Sequence, residues 1–109
     1  MIADDYMREM IGRAKGYSVV ILRGTPKLAD PAAEAIVWEH ARRNFQLRAD
    51  GVLRIVCPVR DGSDVSGIGI FDTSVDETRR IMDDDPGVRG GIFTYEVHAT
   101  RGFPGDALS

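Results

Sequence analysis

Apolar positions follow two rhythms along this chain, and the switches between them mark its elements. From Asp4 to Ala14, Tyr6, Met7, Met10, Ile11 and Ala14 recur at spacings of three and four, predicting a short amphipathic helix with Gly16 as its stop. Tyr17-Ser18-Val19-Val20-Ile21-Leu22-Arg23 is rich in β-branched residues and ends at Gly24-Thr25-Pro26, predicting a strand covered on both faces. Asp30-Pro31 then reads as a helix start, because the carboxylate can accept from an orphan amide while proline takes the first helical position. This helix is predicted to run to about Asp50, with an inward stripe of Ala33, Ile36/Val37, His40/Ala41, Asn44/Phe45 and Leu47, and Gly51 as its exit.

Val52 to Val59 and Val65 to Asp72 flank Asp61-Gly62 and predict a hairpin. Pro58 has no amide to donate to a ladder, so its strand belongs at a sheet edge. Ser74-Val75-Asp76-Glu77 has the form of a capping box and opens a second helix, whose apolar side is Val75, Thr78 and Ile81/Met82. The same spacing reaches Asp85 just before Pro86, which is expected to end that helix. Ile92 to Ala99 predicts the last strand, and Arg101 to Ser109 a tail without regular structure.

The resulting order is β-α-β-β-α-β: an α+β, ferredoxin-like fold with a four-stranded antiparallel sheet and both helices on one face. Tyr17, Val19 and Ile21 alternate with Val20 and Leu22, so the face opposite the helices is apolar as well. The simplest cover is the same sheet of a second subunit, which predicts a face-to-face homodimer and a closed or nearly closed dimeric alpha/beta barrel. Assembly beyond the dimer is left open. The organisation expected is a helical extension over 1–16, the ferredoxin-like domain over 17–100 and the tail over 101–109.

With 109 residues, the chain has room for one modest core, and a large multi-domain enzyme is excluded. No apolar run approaches the length of a membrane span, and Asp4, Asp5 and Glu9 stand where a secretory signal would need an apolar block, so a soluble cytoplasmic protein is expected. Its single cysteine, Cys57, cannot form an intrachain disulfide and reads as a small buried hydrophobe. The net charge of -3 comes with no Lys/Arg stripe interleaved with aromatics, so nucleic acid is not an expected partner. Neither a phosphate-loop fingerprint nor a short-spaced metal-ligand pair occurs, and no cofactor or metal is expected.

Several residues depart from what a plain core requires. His40 on an inward stripe is either a core-edge histidine bonded to a backbone carbonyl or an acid/base group that works near neutrality. Asp85 either orients an imidazole or caps the turn at Gly87. Gly67 and Gly69 share a strand face with Phe71 and leave room for a close helix approach or for the floor of a small-molecule pocket. Arg23 and Arg54 are solvated edge charges or partners for an anionic substrate, and Tyr17 and Tyr95 are expected on the sheet face away from the helices, as a dimer seam or a ligand wall.

From about Tyr17 to Thr100 the chain resembles the YciI-like (YCII-related) family of the dimeric alpha/beta-barrel superfamily. The resemblance is carried by Ser74-Val75-Asp76-Glu77, by Asp85-Pro86-Gly87-Val88-Arg89-Gly90-Gly91-Ile92 and by Tyr95-Glu96-Val97, with His40 as the histidine of the first helix, followed by Asn44, Leu47 and the Gly51 turn. It implies a dimeric ferredoxin-like barrel and a His-Asp site formed by His40 and Asp85. The superfamily includes small proteins that isomerise lactones, rearrange ring-derived compounds or oxidise polyketide-like aromatics without a cofactor. The chain departs from the shortest members in residues 1–16, in a longer link after the first strand and in an extended hairpin. Gly87 also stands where a bulkier residue is common. Two functions are therefore expected as rivals. One is cofactor-independent His-Asp acid/base catalysis on a small cyclic or unsaturated carboxylic acid, of isomerase or lyase type. The other is a non-catalytic homodimeric module that binds a small metabolite or serves a structural role.

Overall fold

The computed structural model describes residues Met1–Ser109. In chain order the elements are α1 (Asp4–Gly12), β1 (Lys15–Gly24), a 3-10 turn (Pro26–Ala29), α2 (Ala33–Ala49), β2 (Leu53–Pro58), β3 (Val65–Phe71), α3 (Val75–Asp83), the single-turn α4 (Pro86–Arg89) and β4 (Phe93–Gly102). The four strands form one antiparallel sheet in the order β2-β3-β1-β4. This is the ferredoxin-like arrangement, with β2 and its terminal Pro58 at one edge.

The core lies between the sheet and the helices. Register places Ser18, Val20 and Leu22 of β1 on one face with Phe71 of β3 and Val97 and Tyr95 of β4. Val20, Leu22, Leu53, Phe71 and Phe93 from the sheet meet Ala33 of α2, Met82 of α3 and Ile92 in a single buried cluster. The polar atoms enclosed there are paired: the Ser18 hydroxyl donates to the Thr73 carbonyl at 2.8 Å, and that of Thr78 donates to the Ser74 carbonyl at 2.7 Å. The Ser74 hydroxyl accepts from the Glu77 amide at 3.1 Å, as the N-cap of α3 requires.

The expected barrel is not formed: the sheet is open, with β2 and β4 as its two edges. Closing a sheet on itself takes about eight tilted strands to leave room for interior side chains, twice what this chain supplies, and Pro58 ends the pairing of the six-residue β2. On the face away from the helices, Val19 and Ile21 stand beside Ile68 and Ile70, and Ile55 and Cys57 continue the patch. None of these side chains is fully buried, and Ile68 is 39% exposed.

Several boundaries differ from those expected; the last strand runs over Phe93–Gly102, so Arg101 and Gly102 belong to it and not to an irregular tail. Gly16 is not a helix stop but lies inside β1, because β4 continues to Gly102 and pairs back to Lys15. α1 ends instead at Gly12, and no residue in it is buried. α2 begins at Ala33 rather than Pro31, because Thr25 caps the 3-10 turn and Asp30 first holds the Ala32 amide at 2.9 Å. α3 ends at Asp83, and Pro86 opens α4 instead of merely closing α3, since the Asp85 carboxylate caps the new turn.

Candidate functional site

The long helix α2 and the turn into α4 bring His40 and Asp85 together from 45 residues apart. His40 is on the inward face of α2 and Asp85 precedes Pro86, where its backbone is extended and its side chain turns back over the first amides of α4. Asp85 Oδ2 accepts from the Gly87 amide at 2.9 Å and the Val88 amide at 3.2 Å. The same carboxylate meets His40 Nδ1, with 2.8 Å to Oδ1 and 2.9 Å to Oδ2. The two roles considered for Asp85, turn cap and imidazole partner, are thus filled by one side chain at once.

The pair is enclosed. The Asp85 side chain is 1% exposed and that of His40 10%. Burial pushes the Asp85 carboxyl up, but the hydrogen bond and charge of His40, with the Val88 and Gly87 amides, outweigh it and hold the group below its ordinary value. Asp85 is therefore an ionised acceptor, and His40 Nδ1 carries the hydrogen donated to it. Nε2 is the ring atom that the carboxylate leaves unbonded.

Three neighbours outside the candidate site residues complete the surroundings; of these, only Asn44 was placed on the inward stripe by the sequence. The Phe93 ring lies against the imidazole, with centroids 4.8 Å apart and planes at 49°. Arg43 Nη1 donates to the Ile81 carbonyl at 2.7 Å and stands 3.8 Å from Asp85 Oδ1, adding a cation on that side. Asn44 Nδ2 is 3.3 Å from His40 Nε2. Asn44 and Arg43 carried a usable signal, being four and three residues beyond His40 on one helix. The place of Phe93 depends on a turn whose geometry no periodicity predicts.

The other residues considered for a pocket lie elsewhere. Arg23 and Tyr17 are on the open face of the sheet, so the sheet itself separates them from His40. Arg23 is engaged by Glu96 Oε1 at 3.1 Å and Asp64 Oδ1 at 3.1 Å, and Glu96 Oε2 is 2.8 Å from His98 Nε2. Tyr17 borders a cavity of about 380 Å³ with Ser18, Asp72, Ser74 and Thr100 at the start of β1. Arg54 is exposed at the bulge between Leu53 and Ile55 of edge strand β2. A Cβ on Gly69 would lie 3.1 Å from both Leu53 Cδ1 and Phe71 Cε1, so core side chains fill the space it leaves, while Gly67 faces the Cys57 carbonyl.

Tyr95 is on the helix side of the sheet, not the open face. Its hydroxyl donates to Asp83 Oδ1 at 2.7 Å, and burial together with that carboxylate pushes its pKa up to about 12. It ties β4 to the end of α3. No group of three or more His, Cys, Asp or Glu side chains is placed to hold a metal ion, and no helix is long and apolar enough to cross a membrane.

No protein-family model and no curated protein matches the sequence. Among solved structures, the chain is similar to 5-chloro-2-hydroxyhydroquinone dehydrochlorinase from Burkholderia phenoliruptrix AC1100, solved in complex with 2,5-dihydroxybenzoquinone. The two share 18% sequence identity and superpose with a TM-score of 0.58, over 75% of this chain and 90% of that one. At this identity the likeness is one of fold.

Proposed function

We propose that the chain is a small acid/base enzyme in which His40 moves a proton on a small ring compound or unsaturated carboxylic acid, by isomerase- or lyase-type chemistry. The observation that carries this reading is the buried, ionised Asp85 bound to His40 Nδ1, which leaves Nε2 as the proton-transferring atom. Nε2 takes a proton from a carbon or hydroxyl made acidic by an adjacent carbonyl, and the electron pair moves into a new double bond. In an isomerisation, the imidazolium then returns that proton at another position. Asp85 stabilises the charged ring between the two steps and keeps it oriented. The fold neighbour adds weight to a ring-shaped substrate, since that enzyme is named for a chlorinated hydroxyhydroquinone and was solved with a dihydroxybenzoquinone.

We also infer that two copies pack through the open sheet faces, because Val19, Ile21, Ile68 and Ile70 form an apolar patch with no cover within one chain. The rival function, a binding or structural module, is favoured by one observation: His40 is nearly enclosed and its Nε2 already has a partner in Asn44.

A panel of small cyclic acids and hydroxylated ring compounds, scored first by thermal shift and then by turnover, separates the two. His40→Gln is expected to lower turnover of a processed compound by at least about 100-fold, the usual range for removing a general acid/base. Turnover retained in that variant, with only stability lost, would sink the catalytic reading in favour of the module.

A further inference from the structure

The partner of His40 Nε2 deepens the reading above and rests on it. Asn44 is four residues after His40 on α2, so the helix sets its carboxamide beside the ring whatever the rest of the chain does. Nδ2 stands 3.3 Å from Nε2, and Asn44 makes no other side-chain hydrogen bond. A carboxamide carries a donor and an acceptor of nearly the same shape, exchanged by a half-turn of the group. That half-turn breaks no other side-chain hydrogen bond of Asn44.

The two ring nitrogens are therefore served differently. Nδ1 faces a carboxylate that only accepts, so its hydrogen stays in place through any reaction cycle. Nε2 changes from acceptor to donor when it gains a proton, and a partner with one fixed role would oppose one of the two states. We propose that Asn44 is a positioning residue that follows the proton on His40 Nε2. Nε2 has a single lone pair, so the carboxamide gives way while substrate is bonded there and holds the ring before and after: its NH2 group donates to the bare nitrogen, and after a half-turn its oxygen accepts from the protonated one. The charged groups beside the ring, Asp85 and Arg43, are fixed by the α4 amides and the Ile81 carbonyl, so neither can serve this purpose.

Nitrogen-15 NMR of the histidine side chains tests this without any substrate. In the unaltered protein the spectrum should show cross-peaks between the Asn44 amide protons and the His40 ring. Asn44→Asp places a carboxylate on each ring nitrogen and should move both His40 nitrogen resonances to imidazolium positions at the same pH. Asn44→Ala should displace only the Nε2 resonance. The inference is overturned if the wild-type cross-peaks are absent, or if the nitrogen resonances of a folded Asn44→Asp variant match those of the parent. The cross-peaks are read in the unaltered protein, so they decide the matter even where a variant fails to fold. An active His40→Gln variant would defeat the catalytic reading without bearing on the His40 resonances, which are read in the unaltered protein, so the two failures are distinguishable.

Discussion

Replacing Gly87 with alanine sets two opposed effects against each other, and the packing around the His40–Asp85 pair decides which wins. Gly87 does not have a positive φ, so its backbone accommodates alanine. Without a clash the exchange would stabilise the protein by about 0.4–1 kcal/mol, through the reduced freedom of the unfolded chain. A Cβ at that position, however, would press into the Phe93 ring, 2.9 Å from Cε2, and lie 3.1 Å from Asp85 Oδ2. Phe93 is 5% exposed and its ring also lies against His40, so it has little room to swing. Overpacking of this kind costs about 1–3 kcal/mol, which exceeds the entropic gain and leaves a net loss of about 1–2 kcal/mol. For a domain of this length the melting temperature should fall by about 5–10 °C. Calorimetry and urea unfolding at matched protein concentration measure it. Phe93→Leu in the same background removes the obstructing ring edge and should show a favourable coupling of at least about 0.5 kcal/mol in a double-mutant cycle. A Gly87→Ala variant as stable as the parent, or strictly additive effects in the cycle, would refute the reasoning.

Other outcomes follow from the same geometry. Asp85→Asn removes the charged partner of a buried histidine and weakens the cap of α4, so urea unfolding at pH 7 should show a loss of about 3 kcal/mol. The folded Asp85 carboxyl is held below its ordinary value, so its stabilisation is complete above about pH 4 and is lost as pH falls through the lowered value. The acid limb of a stability profile should accordingly be shallower in Asp85→Asn than in the parent, and identical limbs would contradict this assignment. Deleting Met1–Gly12 should change stability by less than about 0.5 kcal/mol in chemical denaturation, because no residue of α1 is buried. Ile21→Lys puts a charge in the middle of the open apolar face, so sedimentation should show a folded monomer where the parent is a dimer at micromolar concentration; a monomeric parent would remove the inferred interface.

The order of the elements was legible in the sequence because each is announced locally. β-branched runs mark the strands, Ser74 and Glu77 frame the start of α3, and Pro58 marks an edge. His40 and Asp85 were legible as polar residues on apolar stripes, although the sequence left the role of each open between two readings. What could not be read was set through space. The barrel was expected from the apolar character of both faces of β1, but a pattern within one chain says only that a face needs cover, and four strands end in two open edges. Tyr95 differs: Phe93, Tyr95 and Val97 alternate with Thr94, Glu96 and His98, a signal for the helix side that its assignment to the open face passed over, whereas its bond to Asp83 comes from another element. The bulk missing at Gly87 looked like a departure from a pattern, and only the structure shows Phe93 occupying that space.

The double duty of Asp85 has a consequence for how this chain can change. Its carboxylate begins α4, and α4 leads directly into β4, the strand that completes the sheet beside β1. A change at Asp85 disturbs both the partner of His40 and the start of the turn that leads into the last strand. Position 85 is therefore not free to explore new chemistry on an intact scaffold. New specificity has to arise around the pair, at Asn44, Phe93 or the still uncovered sheet face, while the aspartate stays where the fold needs it.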